Sequence, residues 1–164
     1  MTERGAREVS GTSRGSHAQL KTFIAKYSPA VAAEGRAVLA KVRRLVPSAT
    51  QLVYDNFRWL VVGFSPTERP SDAVLSVVFT PRWITLCFLQ NGPRLPDPDR
   101  LLRGSGKQVR SLRLSSSGDL EAPPVRALIA AALSRARVPF AGTARGGIVV
   151  RAISKKQLPR RPEV

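Results

Sequence analysis

Four short segments rich in valine, aromatic and β-branched residues follow one another closely: Thr50–Tyr54, Trp59–Phe64, Ala73–Thr80 and Trp83–Leu89. Such residues suit a pleated, half-buried surface, so each segment is expected to be a strand. Thr80-Pro81-Arg82 leaves room only for a tight turn, which makes the last two strands antiparallel neighbours. Ser65 to Ser71 holds a proline near each end and reads as a loop. Val77-Val78-Phe79 and Leu86-Cys87-Phe88-Leu89 are apolar at nearly every position, whereas a sheet with one wet face would alternate. Both faces are therefore expected to be at least partly covered, by helices on one side and by the tail or a partner on the other. Cys87, inside such a run, reads as a small buried hydrophobe.

Helices are expected on either side of these strands. After Ser16, a candidate N-cap, Leu20, Phe23, Ile24 and Tyr27 recur at helical spacing. Ser28-Pro29 breaks that helix and opens a second, since proline suits a first turn. The second helix carries Val31, Gly35, Val38, Leu39, Val42, Leu45 and Val46 on one stripe. The cations at Lys41, Arg43 and Arg44 fall near its end, a solvated face well placed for the helix dipole, and Pro47 stops it. A third helix is expected after two prolines, with Val125, Leu128, Ile129, Ala132, Leu133 and Ala136 at helical spacing. The expected fold is thus α+β: a mainly antiparallel five- or six-stranded sheet with two N-terminal helices and one C-terminal helix packed on it.

Between the fourth strand and the third helix lies Gly104-Ser105-Gly106-Lys107, after Asp97-Pro98-Asp99-Arg100 and before a strand over Val109–Leu114 with Arg110 and Arg113. The glycines allow two readings. They let a loop re-enter the sheet, or they expose successive N–H groups beside Lys107 as an anion-binding concavity. The spacing is not that of a Walker phosphate loop.

The chain of 164 residues is long enough for one domain with tails. Residues 1–15 are polar and aperiodic and read as a disordered leader, and 16–137 as the α+β domain. Residues 138–164 read as a basic tail, with an edge strand at 148–153 and a free Lys155-Lys156…Arg160-Arg161 end. The N-terminus lacks the apolar core of a secretory signal, and no apolar run could span a bilayer. A cytoplasmic location without a membrane partner is expected. His17, the only histidine, reads as a surface residue, and no metal-ligand spacing occurs. Neither a catalytic Ser-His-Asp set nor a cofactor motif is present.

The charge is the unusual total: 27 Lys+Arg against 11 Asp+Glu give +16. Such a field attracts phosphate-bearing partners. All but six of these cations are arginine, so composition as well as binding can supply them.

Several words in the sequence resemble the DUF1801, or YdhG-like, family. They are Phe23-Ile24-Ala25-Lys26-Tyr27, Tyr54-Asp55-Asn56-Phe57, and Leu86 to Gly92 leading to Leu95-Pro96-Asp97-Pro98. The closest is Leu101-Leu102-Arg103-Gly104-Ser105-Gly106-Lys107-Gln108-Val109-Arg110. The resemblance spans roughly residues 17 to 137 and implies a small α+β domain. Some members are described as frataxin-like iron chaperones. The scattered acids and the positive charge here oppose that role, since hard cations choose clustered carboxylates.

The sequence reading is a non-catalytic binding or accessory module. Its candidate ligand site combines Tyr54, Asn56 and Trp59 with Gly104, Ser105, Gly106, Lys107 and Arg110, and takes a small anion. The alternative is association with nucleic acid, as a polyanion, through the basic helix face and tail.

Overall fold

Two helix signals act locally and place the first layer. The computed structural model describes residues 6–7 and 13–162. Ser28 caps α2 (Pro29–Leu45), its hydroxyl accepting from the Val31 N–H, with Pro29 in the first turn. Arg43 and Arg44 occupy the last turn, and Val31, Gly35, Val38, Leu39 and Val42 are buried as the stripe requires. Leu45, placed on that stripe by its spacing, is instead 38% exposed. α1 (Ser13–Ala25) begins before Ser16, which lies buried inside it rather than capping it.

The sheet contains β1 (Ala6–Arg7), β2 (Thr50–Asp55), β3 (Leu60–Ser65), β4 (Leu75–Phe79), β5 (Ile84–Phe88), β6 (Arg110–Leu114) and β7 (Ile148–Ser154). Its order is β1-β7-β2-β3-β4-β5-β6. β2 to β6 form an antiparallel meander, while β7 runs parallel to β2 with a register shift between Val53 and Tyr54. The fold is α+β, as expected, with one more strand than the sequence suggests. β7 is not an edge strand, because two residues of the expected leader cover its outer side as β1. Residues 13–15 of that leader are helical, and the rest of it lies outside the described residues.

After β6 the chain passes through α3 (Pro123–Ser134) and returns at the far side of the sheet as β7. Residues from all three helices (Leu20 and Phe23, Val38 and Val42, Leu128 and Ile129) join one apolar cluster with Val53, Val62, Val77 and Leu86. Alternation along a strand puts these four on one face, so the helices share it. Gly35 makes this possible at one point, because a Cβ there would stand 2.0 Å from the Phe79 ring. The Tyr27 hydroxyl is buried between strands; it accepts from the Leu60 N–H at 3.0 Å and donates to the Phe79 carbonyl at 2.9 Å.

The tail is not free. Leu158 donates its N–H to the Phe57 carbonyl, and Gln157 donates to the carbonyls of Asp55 and Ser154. Arg160, only 5% exposed, reaches the Asp55 carboxylate at 2.9 Å, and Lys26 holds the other carboxylate oxygen at 2.6 Å. Arg161 donates to the Lys26 carbonyl. Residues 155–161 thus strap one end of the sheet to α1. The cause is Asp55, a carboxylate with no exposed surface that must find cations.

Candidate anion pocket

At the opposite end of β2 the chain builds a pocket of about 520 Å³. Three segments meet there. The last turns of α2 bring Arg43 and Arg44, the start of β2 brings Gln51, and residues 145–148 close the side. The closing segment is fixed by backbone: Gly146 donates to the Pro47 carbonyl at 3.0 Å, and Gln51 donates to that of Gly147 at 2.9 Å. Only glycine permits this approach, because a Cβ on residue 146 would lie 1.9 Å from the Ala49 carbonyl oxygen. Arg145, exposed, lines the pocket together with Arg44 and His17. Val46, Ala49, Phe64 and Ile148 supply apolar wall.

Arg43 is the central group. Its Nε donates to Gln51 Oε1 at 2.9 Å, and Gln51 is itself 5% exposed. Burial pushes the Arg43 guanidinium below its usual value, since desolvation disfavours the charged form. No carboxylate lines the pocket among the described residues. An anion entering it would meet a guanidinium oriented by Gln51 and offset the desolvation that burial imposes on it.

The residues singled out in the sequence fall elsewhere and in two groups. Tyr54 is half-buried on β2; burial raises its phenol, while the charge and hydrogen bond of Arg151 act to lower it. Asn56 turns the chain, its N–H donating to the Trp59 carbonyl at 3.1 Å, and Trp59 is 37% exposed. Gly104 (φ +127°) needs the freedom of glycine, and Ser105, Gly106 and Lys107 lie exposed on the loop. Arg110 turns back on that loop, donating to the carbonyls of Gly106 at 2.5 Å and Val109 at 2.9 Å.

Register separates the two groups. Asp55 pairs with Leu60, Leu60 with Phe79, Phe79 with Ile84 and Ile84 with Leu114, whereas Arg110 pairs with Phe88 at the other end. β2 and β6 are also four places apart in the sheet, roughly 19 Å at ordinary strand spacing. The eight residues therefore do not enclose one ligand, and the loop cations do not face Tyr54, Asn56 or Trp59.

Sequence reasoning missed Arg43 because a charge run near a helix end is ordinarily solvated. The available signal was Gln51, a polar residue in phase with inward-facing Val53. Among the described residues, no three His, Cys, Asp or Glu side chains gather as a metal site would need. No helix among them is long and apolar enough to cross a membrane. Compared with known proteins, the chain matches no family model, no curated protein and no solved structure.

Proposed function

We propose that this protein is a non-catalytic binding module that holds a small organic anion in the pocket between α2, β2 and residues 145–148. The observation that carries the reading is the half-buried Arg43, positioned by Gln51 and accompanied by Arg44, Arg145 and His17, with no carboxylate in the lining among the described residues. The volume lies within the range of small-ligand sites, and the walls would receive an apolar body behind the charged group. Among the described residues its lining offers no serine, cysteine or acid to act as nucleophile, which favours binding over chemistry. This replaces the glycine loop as the centre of the anion site, because Arg110 spends donors on loop carbonyls. Kinship with DUF1801 belongs to the same proposal and rests on the glycine-loop segment and its neighbouring words.

Thermal shift with inorganic phosphate, phenyl phosphate and benzoate tests it. The wild type is expected to gain melting temperature with the aromatic anions, and modestly increased salt should leave the gain in place. Arg145→Gln, at the exposed rim, and Arg43→Gln should each reduce the gain. No shift with any of the three anions, or a shift that both variants retain in full, overturns the reading.

A further inference from the structure

The end of the sheet opposite the pocket carries an unusual surface. The paired row Asp55, Leu60, Phe79, Ile84 and Leu114 brings the 56–59 and 80–83 turns to the same end. Both of the chain's two tryptophans, Trp59 and Trp83, sit on these turns. Each has a guanidinium on its ring: Arg58 at 5.6 Å from the Trp59 centroid, and Arg113 at 3.9 Å from that of Trp83. Beside them Phe57 is 46% exposed, in a fold that buries Tyr27, Phe64, Phe79 and Phe88 completely or nearly so. The strap fixes further cations here. Leu158 is tied to Phe57 and Arg160 to Asp55, so the exposed Lys155, Lys156 and Arg161 are held near the turns.

From this juxtaposition we propose that the 56–59 and 80–83 turns form a stacking platform for single-stranded nucleic acid. The rings offer faces to unpaired bases, and the flanking arginines and lysines neutralise phosphates. Among the described acids at this end, Asp55 is buried between Lys26 and Arg160, Glu34, in the hollow shared by Trp83, Arg82 and Arg113, accepts from the Ser117 N–H, and Asp119 accepts from the Ser115 N–H. A second copy of the chain is a poor occupant, because two bodies of charge +16 repel. A duplex hides the base faces that such rings would stack on, so single strands are the class selected. The inference is independent of the pocket, which lies at the other end of β2.

Intrinsic fluorescence tests it directly, since every tryptophan lies in the platform. The full chain is titrated with oligothymidylate of about 15 nucleotides. Expected are fluorescence quenching, affinity that falls as salt rises, and weaker binding to a duplex of equal length. Phe57→Ala and Trp59→Ala should each weaken binding about tenfold, the amount one stacked base commonly supplies. Arg43→Gln, in the distant pocket, should leave it unchanged. Because both aromatic positions are exposed, circular dichroism melting is expected to show them folded; Lys155→Gln with Lys156→Gln, on the strap, should flatten the salt dependence in any case. Three results overturn the proposal: no binding at low salt, equal affinity for duplex, or affinity indifferent to Phe57→Ala and to the lysine pair. A response to anionic vesicles without one to the oligonucleotide also overturns it, in favour of a membrane surface.

Discussion

Arg160 donates from Nη2 to the Asp55 carboxylate at 2.9 Å across 105 residues of chain, and both side chains are buried. Removing one partner of a buried pair leaves a charge without compensation, at a cost of about 3–5 kcal/mol. Lys26 remains on Asp55, so Arg160→Ala is expected at the lower end of that range. Urea denaturation should show the midpoint fall, and Asp55→Asn combined with Arg160→Ala should cost less than the two singles added. A midpoint unmoved by Arg160→Ala would show the pair to be idle. Limited proteolysis should likewise spare the chain through Arg161 while the protein is folded.

Gly35→Ala is expected to destabilise, although alanine favours a helix interior by roughly 1 kcal/mol. The added methyl would collide with the Phe79 ring, which has no exposed surface and nowhere to move. Overpacking of this kind costs about 1–3 kcal/mol, so the clash prevails. Phe79→Leu in the Gly35→Ala background should recover part of the lost melting temperature; a double variant as unstable as the two singles summed would argue against the contact.

Stability should fall on the alkaline side, for reasons that fix the sign. Burial raises the phenols of Tyr27 and Tyr54 above the ordinary 10.0 and the Cys87 thiol above 9.0. Below these ordinary values both states hold the protons. As pH climbs past them the unfolded chain releases protons that the folded chain retains, so unfolding is favoured. Melting temperatures should be level from about pH 7 to about pH 9 and decline above it, with Cys87→Ala delaying the onset. A flat profile through pH 10 would contradict the burial of these groups.

The glycine loop gives a fourth test. Lys107 is exposed, and Lys107→Gln should alter stability by no more than about 0.5 kcal/mol. Arg110→Gln removes two hydrogen bonds that close the loop, at about 1–2 kcal/mol together at this exposed position. Equal effects of the two substitutions in a thermal melt would show that Arg110 does not clamp the loop.

The parts of this structure that could be read in advance are those encoded locally. Ser28-Pro29 and Pro47 bracket α2, paired prolines open α3, and the valine-rich segments became β2 to β5 within a residue or two. Long-range pairings carry no such local mark. Nothing in the composition of residues 148–153 distinguishes an edge strand from one laid parallel to β2. Asp55 drew no reading of its own, although its phase with Val53 points it inward, and a buried carboxylate requires a cation from somewhere. Arg160 looked like any residue of a basic tail. For the same reason the expected ligand site joined residues that are neighbours in type but lie at opposite corners of the sheet.

The strap has a consequence for the order of events at synthesis. β2 is made early, yet its outer neighbour β7 and Arg160, the second cation on Asp55, are encoded about a hundred residues later. The nascent meander must carry a buried carboxylate with Lys26 as its one cation, and an open β2 edge, until Arg160 emerges. Such exposed edges are the surfaces on which chains mispair. Assembly of this domain therefore finishes from its C-terminal end, and a ribosome stalled before β7 would hold a sheet that cannot yet close.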